Sequence, residues 1–225
     1  MSDHAGVTAA SPEVRVRGQA EVRCLPDRAV LRLGVEAEAE SQADAFALAA
    51  RQAAAADAVL DRFAAAIDRR LTAGVLVRPK TRWRKGETVR TGWVAARTTV
   101  LEVTDLAKLG QLVSELPAAG VSSIDGPHWE VDSTNPAHEQ ARRAAASDGQ
   151  RRAHAYADAL GLHVGALRWL AEPGLRGDGG PVAGQMPRLA RAYAAAAAPE
   201  EPMDINPEEV TIQATVEACF ELVDR

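Results

Sequence analysis

The feature that most constrains this chain is a hydrophobic period that switches between two and about 3.6 residues. Val14, Val16, Gly18, Ala20 and Val22 alternate with Arg15, Arg17, Gln19, Glu21 and Arg23. That is the pattern of a strand with one face on a core and the other on water. After Pro26-Asp27 the alternation resumes, with Ala29, Leu31, Leu33, Val35 and Ala37 set against Arg28, Arg32, Glu36 and Glu38. Two antiparallel strands joined by a tight turn are expected here. Then the period changes. Ser41 and Asp44 resemble a capping box, and Ala45, Leu48, Gln52, Ala55, Val59, Phe63 and Ala66 make a helical stripe running to about Arg70.

Further on, Val75 to Arg84 and Val89 to Val103 read as a long hairpin turning at Lys85-Gly86-Glu87. Asp105 is expected to cap a short helix through Leu106, Leu109, Leu112, Val113 and Leu116, ended by Pro117 and Gly120. Val121 to Asp132 reads as a strand. Asn135-Pro136 starts a second long helix, a capping side chain followed by proline at the first helical position. Its stripe is Ala141, Ala145, Gly149, Ala153, Tyr156 and Leu160, and Gly161 closes it. Strands at His163–Ala171 and Val210–Leu222 flank a Gly-, Pro- and Ala-rich stretch at 172–207, expected to be a mobile loop. The order is ββαββαβαβ-loop-β. It implies an α+β fold, an antiparallel-dominated sheet or sheets with two long helices and one short helix packed on one face. Residues 1–11 are expected to be a disordered N-terminus, and 12–225 one domain, with two lobes as the alternative.

Composition narrows the function classes. The chain has 225 residues, 26 Lys+Arg against 31 Asp+Glu, hence a net charge of −5, with 47% hydrophobic residues. An acidic balance argues against a general nucleic-acid coat, and no apolar run approaches the ~20 residues a membrane span needs. The first residues show neither a basic nor an apolar signal segment, so a cytoplasmic location is expected. Cys24 and Cys219 stand alone, without CxxC or Cys/His spacing, and are read as reduced structural thiols.

Several segments carry a family resemblance. They are Val16-x-Gly18-x-Ala20-x-Val22, then Pro26-Asp27-x-Ala29-x-Leu31-x-Leu33-Gly34-Val35, and Gly92-Trp93-x-Ala95. Asp105-Leu106-x-x-Leu109-Gly110, Ala119-Gly120, Glu139-x-Ala141-Arg142, Leu160-Gly161 and Val210-x-Ile212-x-Ala214-x-Val216 follow in order. Together they resemble the SIMPL-domain family across nearly the whole chain outside the first residues and the loop. The resemblance implies the same α+β arrangement and supplies no catalytic residue set. It implies work by contact: the family includes a mammalian signalling adaptor of a Pelle-like kinase, bacterial envelope proteins linked to oxidative stress, and one large channel-like homo-oligomer. Most bacterial members are exported. Trp93 stands where the family usually has tyrosine, and Gly149 where it usually has alanine.

Candidate chemistry is sparse. Asp27 is read as a turn residue whose carboxylate accepts backbone N–H groups. His128, His138, His154 and His163 lie on different elements without HxH or HExxH spacing, so no metal is expected. No phosphate loop, nucleophile elbow or cofactor motif is present. The one concentrated feature is the hairpin. Arg78, Lys80, Arg82, Trp83, Arg84, Lys85, Arg90, Trp93 and Arg97 gather charge and two indoles in an acidic chain. They form the candidate interaction surface. Cations interleaved with aromatics can hold phosphates and bases, but the preferred reading has the indoles packing on a lobe or subunit and the arginines pairing with acids.

The function expected is therefore non-catalytic: protein–protein contact, as a homo-oligomer or with another protein, in a stress-related or signalling role and without a cofactor. The alternatives are an enzyme or small-ligand binder with a pocket between sheet and loop, or weak anion or nucleic-acid binding through the hairpin.

Overall fold

The computed structural model describes residues 11–84, 86–175 and 204–224. The expected disordered start, Lys85 and most of the expected loop lie outside the described residues. The element order is β1 (Glu13–Cys24), β2 (Arg28–Ala39), α1 (Gln42–Arg62), β3 (Ile67–Arg84), β4 (Glu87–Val103), α2 (Leu109–Glu115), β5 (Ser123–Glu130), α3 (Pro136–Ala159), β6 (Leu162–Ala171) and β7 (Val210–Asp224). This is the α+β order the periodicity implies. The strands make two sheets, β1-β7-β6 and β3-β4-β2-β5, and the chain divides into two compact units accordingly.

The expected β1–β2 hairpin does not form. β2 pairs antiparallel with β4 along one edge and with β5 along the other, so both its edges are occupied. β1 instead lies beside β7. Arg17 meets Glu217 at 2.7 Å, Gln213 meets Glu21 at 2.9 Å, and the Leu222 N–H donates to the Pro12 carbonyl at 2.8 Å, so the pair runs antiparallel. Cys24 and Cys219 thus sit nine residues apart in register, about 30 Å along the strands, and no disulfide joins them.

In the four-stranded unit, α1 and α2 cover one sheet face. Leu31, Leu33 and Leu101 from the strands meet Leu60 of α1, Leu109 and Leu112 of α2, and Leu116 just beyond it, in one core. Ser41 begins α1 as expected: its Oγ accepts the Asp44 N–H at 3.1 Å, and its hydroxyl donates to the Asp44 carboxylate at 2.6 Å. The buried positions are Ala45, Ala49, Ala53, Ala56, Val59 and Leu60. Ala55 of the expected stripe faces water and Leu48 and Gln52 are half-buried, because a helix this rich in alanine carries little pattern to choose its inner face.

The helix also stops at Arg62, short of Arg70. A 3₁₀ turn at Ala64–Ala66 follows, and Ile67 then pairs with Val103. Buried Phe63 and Ala66 lie three residues apart, a spacing that continues a helical stripe and equally fits a 3₁₀ turn. Asp105 leads into α2 without a side-chain cap; its carboxylate pairs with Lys108 at 3.4 Å.

The three-stranded unit is built on α3, capped by Asn135, whose Oδ1 accepts the Ala137 N–H at 2.9 Å. Its buried stripe is Ala137, Ala141, Ala145, Gly149, Ala153 and Ala157. Four-residue steps carry the stripe onto Ala157 and leave Tyr156 and Leu160, expected inside, exposed at 60% and 69%. The helix meets β1 backbone to backbone. A Cβ at Gly18 would fall 2.0 Å from the Ala145 carbonyl oxygen and 2.6 Å from the Gly149 nitrogen.

Candidate interaction surface

β3 and β4 pair antiparallel from Ile67–Val103 out to Arg84–Glu87. β2 ends its pairing at Ala39, opposite Trp93. Beyond that point the hairpin continues as a two-stranded ribbon. Gly92 sits at its root because β4 presses on the end of β2: a Cβ there would lie 2.8 Å from the Ala39 oxygen. β3 is the end strand of its sheet, and of its 18 residues only Ile67 and Val77 are even half-buried. Leu71, Val75, Leu76 and Trp83 are all exposed, Trp83 at 69%.

The register assigns the faces. Val75 lies opposite Arg97, and Arg97 grips Asp57 of α1 with two hydrogen bonds of 2.7 and 2.9 Å. Val75, Val77 and Pro79 therefore point to the α1 side. Arg78 and Lys80 point away from it, and strand alternation places Arg82 and Arg84 with them. Lys80 pairs with Glu38 of β2. Among the described residues, Arg78, Arg82 and Arg84 have no ion pair.

The inner half of the strand differs. Arg69 pairs with Glu102 at 3.5 Å and Arg70 with Asp61 at 2.9 Å.

Not all of the residues expected at this surface stay together. Arg97 is drawn under α1 by Asp57, two-thirds or more buried as a pair, and serves to hold helix to sheet. Trp93 is half-buried against the alanine cluster of Ala37, Ala45, Ala49 and Ala95, with the Arg90 guanidinium 5.7 Å from its ring centre. Arg78, Lys80, Arg82, Trp83 and Arg84 remain as an exposed row. The exposed Leu71, Val75 and Leu76 are not singled out by the sequence pattern, because residues up to Arg70 read as helix, Leu71 falls before the strand expected from Val75, and Val75 and Leu76 read only as the start of a hairpin strand. Between α1 and this strand runs an open, mainly apolar groove of about 220 Å³, lined by Phe46, Ala50, Ala54 and Val75 and ending at the Asp57–Arg97 pair.

The other ionisable groups pair locally. Asp27 accepts a backbone N–H, as expected, but from Asp132 at 2.7 Å, a residue distant in sequence. His128 lies 3.6 Å from Asp125. Among the described residues no three His, Cys, Asp or Glu side chains are grouped to hold a metal. Burial pushes the Cys219 thiol up from its ordinary value, aided by its hydrogen bond to Glu13, so it stays protonated. No described helix is long and apolar enough to cross a membrane.

A comparison with curated proteins finds none that matches. The family model described as SIMPL, a protein of unknown function (DUF541), matches residues 14–220. That span takes in the two sheets and three α-helices of the described residues and the hairpin, and on it this chain belongs to the SIMPL family.

Proposed function

We propose that this SIMPL-domain protein is non-catalytic and works by protein–protein contact at its open strand edges, assembling with copies of itself. The observation that carries this reading is that both sheets end in a strand with large apolar side chains left in water. β3 ends one sheet with Leu71, Val75 and Leu76, and β6 ends the other with Leu167 and Leu170 exposed at 52% each. An edge strand offers unpaired N–H and C=O groups to another strand. The two edges differ in charge. β6 carries one arginine, Arg168, already paired with Glu221 at 2.9 Å, so two copies can approach along it without repulsion. The resemblance to assembling and adaptor proteins supports the same reading, and a signalling or stress-related role would follow from such contacts.

Sedimentation velocity at micromolar concentration tests self-assembly. The expected result is a species larger than a monomer, shifted toward monomer by Leu167→Lys with Leu170→Lys. A monomer throughout the concentration range overturns it.

A further inference from the structure

The outer half of β3 carries a cationic row. Arg78, Lys80, Arg82 and Arg84 follow one another at two-residue steps on the face turned away from α1. Such steps put successive charges about 6.6–6.8 Å apart. β4 does little to neutralise them: on its side the register opposes Arg78 with Val94, Lys80 with Gly92 and Arg82 with Val89, and only Arg84 faces an acid, Glu87. Glu38 answers Lys80 alone.

We propose that this outer edge of β3 receives an extended acidic segment of another protein, added as a strand, with a carboxylate at every second residue. The inference rests on the reading of the open edges as contact sites and names the partner chemistry for one of them.

The periodicity is what selects the partner. A strand laid against β3 repeats its own side chains at the same two-residue step. Acids at i, i+2, i+4 and i+6 then each stand opposite one cation. A helix presents its acids at three- and four-residue steps and offers no free backbone groups. The intervening side chains of the added strand fall on the other face, beside exposed Trp83, and apolar residues there would cover it. The row also excludes β3 of a second copy over this half. A two-fold pairing centred on Lys80 sets Arg78 opposite Arg82, and one centred on Arg82 sets Lys80 opposite Arg84, like charges in direct opposition. Single-stranded nucleic acid could match the charges but not the open N–H and C=O groups of the edge.

The test uses the full chain and three fluorescent probes read by anisotropy at low salt: a nine-residue peptide alternating Glu with Val or Thr, a peptide of the same composition with its glutamates in one block, and an oligothymidine. The alternating peptide is expected to bind about tenfold or more tighter than the blocked one, and to slow amide exchange within residues 78–84. Arg82→Glu with Arg84→Glu should lose that preference and take up instead a peptide that keeps Glu at the two positions facing Arg78 and Lys80 and carries Lys at the two facing positions 82 and 84. These positions are exposed, and the charge-swapped peptide reports on a folded variant directly. Equal binding of the two acidic peptides, or tighter binding of the oligothymidine, overturns the proposal. Failure here beside self-assembly in the centrifuge removes only this partner; a monomer that binds the alternating peptide removes only the self-assembly.

Discussion

The two helix-on-sheet contacts of this protein are built by opposite means. α3 meets β1 through alanines and glycines, close enough that Gly18 has no room for a methyl group. The first half of α1 also meets its sheet through alanines, but the end of α1 and all of α2 stand off it on a layer of leucines, Leu31, Leu60, Leu101, Leu109, Leu112 and Leu116, all at most 2% exposed. A backbone contact is intolerant of added atoms, whereas a side-chain layer is sensitive to lost ones. The comparison also explains why the hairpin is exposed. The leucine layer covers the roots of β3 and β4, and the strands outrun the helices, leaving a ribbon that no layer of the described residues covers.

The largest effect should come from emptying the leucine layer. Leu101→Ala is expected to cost about 2–5 kcal/mol by urea unfolding, since a fully buried side chain leaves a cavity. Overfilling the backbone contact comes next. Gly18→Ala should cost about 1–3 kcal/mol, because the new methyl meets main-chain atoms rather than a movable side chain. The facing glycine breaks the symmetry of that contact. A Cβ at Gly149 would find its nearest neighbours at 3.6 Å, ordinary packing distance. Gly149→Ala is therefore expected to stabilise by up to about 1 kcal/mol, the gain of alanine over glycine inside a helix. A loss on Gly149→Ala would show that β1 and α3 approach more closely than described.

The smallest effect is a pH dependence at the same contact. Asp148 of α3 accepts the Gln19 N–H of β1 at 3.1 Å and is also paired with Arg152 and Arg151. The backbone hydrogen bond first, and the arginines after it, hold its carboxyl below the ordinary aspartate value. A depressed folded-state value means stability that is present above the unfolded pKa of about 3.9 and is lost as pH falls through the folded one. Melting temperature should therefore drop more steeply below pH 4 in the unsubstituted protein than in Asp148→Asn. Parallel curves would remove Asp148 from the contact.

Much of this was legible before any coordinates. Period two and period 3.6 are local properties, so strands and helices appear in the right order, and Ser41 and Asn135 mark their helix starts by short-range hydrogen bonds. Partners are not local. The alternation in β1 reports an apolar face and says nothing of which strand lies alongside, so nearness in sequence points to β2, whereas β1 pairs with β7, nearly the whole chain away. The hairpin divides the same way. Its positive charge is plain in the residue order, but Arg97 and Arg90 look alike there. Only the fold brings Asp57 of α1 to Arg97 and leaves Arg82 and Arg84 without an ion pair among the described residues.

By itself, then, the sequence determined the alternation of elements, the family, the close small-residue stripe of α3 and the existence of a basic hairpin, all written in neighbours a few residues apart. The tertiary structure alone decided that there are two sheets, which strands end them, and which cations stay uncompensated. Those outcomes depend on which distant segments share a hydrogen-bonded edge or an acid, a choice that side-chain periodicity does not encode.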